Sequence, residues 1–458
     1  MASTDYSIPR PKHNFRWVIC GLLFCSVAVN YLDRLVLSIL KKPLSAELGW
    51  SEADYGFITS AFYLAYAFGY LFGGRIVDRL GVKRGLPIFV FLWSCAAAGH
   101  GLCSLLGVKE IFAINHTWLL WAEKGSIVLT LTLPMTVAGF ALARMALGLT
   151  EGGNFPGAIK TVAEWFPIKE RALATGWFNA GTNVGAIVCP ILVPALYAKF
   201  GWASTFYMTG ATGFIWVALW WFLYDSPEKH RRLHPAELDY IKRGQPAVPE
   251  KPPARVPWLA LLKYRAVWAY LLASLFAGPA WGFYQSFLPD FLDKRFHLSL
   301  QATGWWTGAF YALAAIGGIG GGWLTSKLLT QGWQLNSARK ITLLICALSV
   351  VPVALAPFTN HIFLAVLIVG LAGSAHQGWS ANLFSVVSDT MPRETVSSVV
   401  GLGGFLAFLM SSVMSAVTGL ILQKSEGNYT PLFVYLSGMY LLSLLCIQLL
   451  IPKIEPKE

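Results

Sequence analysis

The alternation of apolar and polar positions divides the chain into long hydrophobic runs separated by short polar breaks. Twelve of these runs approach or exceed the roughly 20 residues that an α-helix needs to cross the hydrocarbon of a bilayer. They lie near 16–40, 53–77, 84–107, 127–153, 169–198, 202–224, 266–292, 299–328, 339–358, 361–390, 395–423 and 430–452. The pattern predicts an all-α membrane protein of twelve spans. One long polar stretch, 225–265, is rich in charge and proline and reads as a solvated linker with a short surface helix at 235–243. It divides the spans six and six. A second break, 108–126, reads as an insertion on the outer side with its aromatics at the membrane interface.

Composition sharpens this picture. The 458 residues are 55% hydrophobic and only 13% charged, more apolar surface than one soluble core could hide. The first 16 residues are polar and basic, and the apolar run after them is too long for a signal-peptide core and lacks a small-residue cleavage site. The first span is therefore expected to stay as an anchor. The net charge of +12 raises nucleic acid as a partner. Its distribution argues against one, because Lys and Arg lie in alternate loops, the pattern of membrane topology. Most of them fall on the side of the termini, which predicts both termini and the linker in the cytoplasm. Arg34, Arg75, Arg144 and Lys160 fall within or near membrane depth. The seven cysteines show no CxxC or Cys/His metal spacing and read as small buried hydrophobes. No HExxH, P-loop or clustered His and Asp is present, so neither an enzyme nor a bound metal or cofactor is expected.

Between the second and third spans stands GGRIVDRLGVKRG. Its Gly74, Asp78, Arg79, Gly81, Lys83 and Arg84 fit the pattern G-x-x-x-D-R-x-G-x-K/R-R. Gly74 lets two helices approach, and Asp78 can pair with a cation or helix N-terminus across a half-domain interface, as a conformational latch. With twelve spans and a central loop, this signature resembles the major facilitator superfamily over essentially the whole chain. The resemblance implies two pseudo-symmetric six-helix bundles, here 1–224 and 266–458 around the linker 225–265. In the second half Ser326 stands where the signature has an aspartate. An internal echo supports the duplication: Glu164, Pro167 and Gly176 recur at the same spacing as Asp389, Pro392 and Gly401.

Charges inside the spans carry the chemistry. Arg144 and Glu151 are seven apart, two helical turns, and so face one way. Asn30 and Arg34 share a face at i, i+4, with Asp33 about 100° around the helix. Asn179 and Thr182 add polar groups on the fifth span, where Gly181 and Gly185 form a small-residue packing face. Charges in hydrocarbon cost at least a few kcal/mol unless paired or hydrated. Four in one half point to a polar cavity. Two arginines there make a carboxylate site, because the guanidinium fork matches a carboxylate. Two acids beside them can carry protons.

NYLDR together with R-x-x-x-G-x-x-E-G-G-x-x-P resembles the anion:cation symporter family within the superfamily. By that resemblance Arg34 and Arg144 contact or organise the carboxylate site, and Asp33 and Glu151 are the protonatable pair; Tyr31 and Tyr66 are expected to line the substrate site. The PAW and AHQ elements of the seventh and tenth spans are similar to the bacterial hexuronate carriers of that family. That likeness implies that Trp281 packs on a sugar ring and that Tyr284, Gln285, His376, Gln377 and Asn382 meet hydroxyls. The chain departs from some relatives: its eleventh span lacks a polar amide and its seventh lacks an arginine. The expected function is proton-coupled import of a hexuronate, galacturonate or glucuronate, by a monomer in a bacterial inner membrane, with the sugar-acid anion, protons and lipid as its only partners. Alternatives are a carrier of galactonate or glucarate, an uncoupled organic-anion carrier and, remotely, a multispan enzyme or sensor.

Overall fold

A computed structural model of the protein describes residues 14–107, 110–120, 125–243 and 257–454. Residues 108–109 and 121–124 of the expected insertion, and 244–256 of the expected linker, lie outside the described residues. The first half holds α1 (Phe15–Ile39), a short α2 (Lys41–Leu48), α3 (Glu52–Leu80), α4 (Val82–Leu102), α5 (Met135–Glu151), α6 (Asn154–Trp165) and α7 (Ile168–Leu223). Two small helices follow, α8 (Pro235–Arg243) and α9 (Trp258–Leu261). The second half holds α10 (Arg265–Phe296), α11 (Leu300–Thr330), α12 (Leu335–Val350), α13 (Ile362–Thr390), α14 (Arg393–Lys424) and α15 (Thr430–Leu450). The fourth span is α5 and α6 joined at Gly152–Gly153. The fifth and sixth spans are the two arms of α7, where the chain reverses at Gly201 (φ 75°, ψ 173°), a conformation open essentially to glycine alone. So counted, the described residues form twelve crossing segments in two six-helix bundles.

One boundary differs from the sequence reading. The fourth run was expected to begin at 127, but its first residues form a strand. Ile111–Leu120 (β1) and Gly125–Pro134 (β2) pair as an antiparallel hairpin, with Ile111 opposite Pro134. The segment SIVLTLTL alternates apolar with mostly small polar residues and is rich in β-branched side chains, which suits a pleat better than a helix.

Glycines set the helix spacing inside each bundle. A Cβ on Gly148 would lie 2.4 Å from the Phe62 carbonyl oxygen, and one on Gly152 would lie 2.4 Å from the Gly69 carbonyl carbon. α5 is thus held backbone to backbone on α3. Gly181 and Gly185 seat α7 on α1 in the same way, against Phe24 and Ala28. Gly317 and Gly321 permit close packing of α11 on Ser374 and Gly378 of α13, within the second bundle.

The bundles meet along α3 against α14 and α7 against α11. Examples are Gly56 against Gly419 and Gly304 against Pro190. At the end away from the termini, charges join them. Lys41 lies 2.6 Å from Glu52 and 2.5 Å from Asp290. Lys294 lies 3.0 Å from Asp290 and also bonds Glu52. The Tyr429 hydroxyl donates to Asp290, and Lys42 pairs with Asp293 at 2.7 Å. At the opposite end, α8 docks on the first bundle, with Glu237 and Ile241 buried. Glu237 accepts the backbone N–H groups of Phe15 and Arg16 at 2.9 and 3.1 Å, and the Arg16 guanidinium at 2.9 Å. Arg16 also reaches Glu170 at 2.9 Å.

Candidate functional site

Arg34 is the hub of the first bundle. Its Nε and Nη2 donate to one oxygen of Glu151 at 2.9 and 2.8 Å, and Nη2 also reaches Asn30 Oδ1 at 3.0 Å. The shared face of Asn30 and Arg34 produces the last contact, and the glycine-spaced approach of α5 supplies the first. Aromatic rings box the guanidinium, with Tyr66 at 4.6 Å, Tyr31 at 4.8 Å and Phe62 at 5.5 Å from the charge centre. Such contacts favour a desolvated cation. Arg144 donates Nη1 to the Arg34 carbonyl at 3.0 Å and stands 5.6 Å from the Phe62 ring. No acid lies within ion-pair distance of Arg144 among the described residues, and its Nε has no partner. Glu151 keeps one oxygen unpartnered. The site thus has two guanidinium groups, one bound carboxylate and unused bonding capacity on each side.

Asp33 is buried about 100° around α1 from Arg34, within electrostatic reach of Glu151 and Arg144. It faces Thr209 of α7 and Trp93 of α4, inside the first bundle. Neither of its oxygens has a hydrogen-bond partner among the described residues.

Two chambers adjoin the cluster. The smaller, about 10 Å³, holds Arg34, Arg144, Thr59, Tyr63, Gln285 and Ser286 on its walls. It is no larger than a single water needs. The larger, about 190 Å³, runs from Gln285 and Trp281 past Ser411 toward Tyr70, Tyr270 and Phe384, in the direction of the end that carries the termini. It has room for one monosaccharide-sized solute. Tyr63 and Gln285 line both chambers and form the partition between them. The Tyr63 hydroxyl donates to the Gly282 carbonyl at 3.0 Å, which ties the partition to α10. Gln285 is buried, and its amide nitrogen has no partner. Trp281 stacks on His376 with centroids 5.2 Å apart and planes 6° apart, and Tyr66 packs on Phe408 of the chamber wall at 4.4 Å.

The structure brings Arg34, Arg144, Trp281, Gln285 and His376 to the walls of these two chambers, and Tyr31, Tyr66 and Glu151 into contact with Arg34 behind them. Other expected site residues lie elsewhere. Asn382 is buried in the second bundle, bonded to Thr325 at 2.5 Å and to the Gly321 and Gly378 carbonyls, beside Arg339 and its partner Asp389. Gln377 is half-buried on the side of α13 that meets Gly318 of α11. Tyr284 is buried against Phe310, behind the chamber wall. Asn179 is exposed, and Thr182 turns its hydroxyl back to the Asn179 carbonyl. In each case the helix rotation, which spacing alone does not fix, sends the side chain to a neighbouring helix or outward.

The latch segment also differs from expectation. Gly74 lets Pro156 approach, and Gly81 ends α3 with φ 72°. Asp78 pairs with Lys160 at 2.9 Å, a residue of its own bundle, instead of crossing to the other one. Lys83 bonds Asp225 at 2.6 Å and holds that carboxyl below its ordinary range. Arg79 and Arg84 are exposed.

Sequence reasoning missed Phe62, Tyr63 and Ser286 as chamber walls and the whole charge cluster around Asp290. Asp290 did carry a signal, an acid within the apolar flank of the seventh run. Among the described residues no group of three or more His, Cys, Asp or Glu is placed to hold a metal ion.

Comparison with known proteins fits this geometry. Residues 23–415 match the sequence profile of the Major Facilitator Superfamily. The chain is 29% identical over 445 residues to a hexuronate transporter of Escherichia coli strain K12, covering 96% of this chain and 94% of that one. It is 27% identical over 455 residues to a probable galactarate/D-glucarate transporter of Bacillus subtilis strain 168, covering 97% and 93%. It is also 27% identical over 455 residues to a D-galactonate transporter of Escherichia coli O6:H1, covering 96% of each. Among solved structures, a D-xylose-proton symporter superposes with a TM-score of 0.71 at 14% identity, covering 97% of this chain and all of that one. A bacterial homologue of the human lysosomal transporter Spinster, inward-facing and occupied, gives 0.66 at 18% identity, covering 96% of each.

Proposed function

The chain belongs to the Major Facilitator Superfamily, a multi-pass transporter and not an enzyme, and from that premise we propose that it imports a hexuronate with protons by alternating access. The observation that carries this reading is Arg144, a buried guanidinium with no acid within ion-pair distance among the described residues, beside the Arg34–Glu151 pair and next to a sugar-sized chamber. A substrate carboxylate supplies the missing anion. Arg34 can serve one carboxylate fully at a time, so Glu151 and the substrate compete for it. A proton on Glu151 releases Arg34 to the substrate, and loss of that proton returns Arg34 to Glu151 and expels the anion. That competition couples the two movements. Asp33, unpartnered behind Arg34, is the second acid in this scheme. The sugar lies in the larger chamber, with Trp281 against its ring and Gln285 bridging to the arginines.

The halves 1–224 and 266–458 rock about this site, joined by 225–265. With both termini on the cytoplasmic face of a bacterial inner membrane, the Lys41–Asp290 cluster closes the outer side and the chamber faces inward. The remaining latch residues, Asp78, Lys83 and their neighbours, engage the second half only when the inner side closes.

The test uses purified protein in vesicles. A pH gradient should drive accumulation of D-galacturonate. Glu151→Gln should abolish accumulation while leaving exchange of labelled for unlabelled substrate. Accumulation by Glu151→Gln would remove Glu151 from the coupling role, and equal binding of galacturonate and neutral galactose would remove the anion itself.

A further inference from the structure

We propose that the site selects sugar acids with one carboxylate and rejects those with two, because all of its cationic binding lies at one end. This rests on the sugar-acid reading above and divides its candidate substrates.

Two guanidinium groups, Arg34 and Arg144, face the small chamber, and Glu151 neutralises one of them. Both guanidinium groups lie at the same end of the site, so whether Glu151 is ionised or protonated the cationic binding stays at that end, where one substrate carboxylate meets it. A solute whose carboxylate reaches the arginines displaces the Tyr63 and Gln285 side chains that part the chambers, and the rest of it lies in the larger chamber. No Lys or Arg lines that chamber among the described residues. Its polar groups are neutral: the unpartnered Gln285 amide and the hydroxyls of Ser274, Ser380 and Ser411. They suit the hydroxyls of a sugar.

His376 is the one basic side chain on this wall, and its ring is already engaged. Its Nδ1 lies 2.5 Å from the Tyr440 hydroxyl, its Nε2 lies 3.4 Å from Ser380 Oγ, and one face is covered by the Trp281 indole. Once the halves close over it, a second carboxylate placed here would lose its water and meet no cation, which is strongly unfavourable. Aldaric acids such as galactarate and glucarate carry a carboxylate at each end of the carbon chain. The aldehyde or alcohol end of a hexuronate or galactonate is uncharged. Overall similarity to the relatives does not separate these classes, since carriers of both kinds match at 27–29% identity. The separation comes from the placement of charge.

The experiment compares binding of D-galacturonate, D-galactonate, galactarate and D-glucarate to the purified full-length protein at pH 7.5, by competition with labelled galacturonate. The expected result is that either monoacid displaces the label at concentrations at least about 100-fold lower than either diacid. The companion variant Ser380→Lys places a cation in the larger chamber and should narrow that ratio by about tenfold or more. Diacids binding as well as monoacids would overturn the inference and leave the sugar-acid reading intact. The inference is also overturned if Ser380→Lys binds the monoacids yet leaves the ratio unchanged. If none of the four compounds binds, the sugar-acid reading itself fails, and this inference with it.

Discussion

Removing either partner of the Arg34–Glu151 pair should be costly, and removing both should cost little more. Glu151 accepts two N–H groups of Arg34, at 2.9 and 2.8 Å, and the glutamate side chain is fully buried. Breaking a buried pair from one side costs about 3–5 kcal/mol, mainly because the other charge is stranded. Arg34→Gln strands Glu151, and Glu151→Gln leaves Arg34 with Asn30 and the rings of Tyr31 and Tyr66. If the two losses were independent, the double variant would lose roughly 6–10 kcal/mol. Because the stranded charge disappears in the double variant, its loss should stay near that of one single change. The coupling between the sites is then about 3 kcal/mol or more, far above the 0.2–1 kcal/mol typical of exposed pairs. Equilibrium unfolding of the four proteins in mixed micelles measures this directly. Additivity within about 0.5 kcal/mol would refute the reasoning, since it would mean that Arg34 does not depend on Glu151 for its charge balance.

Two further outcomes follow from the same geometry. Gly148→Ala puts a methyl group 2.4 Å from the Phe62 carbonyl, so α5 must move away from α3 at an overpacking cost of about 1–3 kcal/mol. Galacturonate affinity should fall at least about tenfold, the displacement of Arg144 being the cause, and wild-type affinity in this variant would show that the helix spacing does not set the site. Asp290→Asn leaves Lys41 and Lys294 with Glu52 alone between them and should loosen the end away from the termini. In a cysteine-free background, a reporter Ser286→Cys should then be alkylated several-fold faster from that side, and an unchanged rate would deny the cluster a gating role.

The features legible in the sequence were those fixed within one helix. Asn30 and Arg34 are a turn apart, so their contact follows from helical geometry, and the offset of Asp33 follows for the same reason. The small-residue faces at Gly181 and Gly185 were also readable, because only a backbone can approach them. What spacing does not give is the absolute rotation of a helix in its bundle. Asn382 shows the consequence: its amide turns to Thr325 and the carbonyls of Gly321 and Gly378, where a buried polar group is satisfied. Lys41 and Asp290 read separately as residues at the ends of two spans, and only the assembled bundles place them 2.5 Å apart. The strand at 125–134 was hidden because hydrophobicity was weighed without its period.

The docking of α8 has a bearing on how the protein is made. Glu237 receives the opening N–H groups of α1 and the guanidinium of Arg16, a residue 221 positions earlier. The ribosome has synthesised six spans before that carboxylate exists. Until then the first segment to enter the translocon has no partner for its leading turn, and Arg16 would be a charge without its full complement of counter-ions. The leading half is finished by what comes after it, so a nascent chain arrested just short of Glu237 should remain a ward of the insertion machinery.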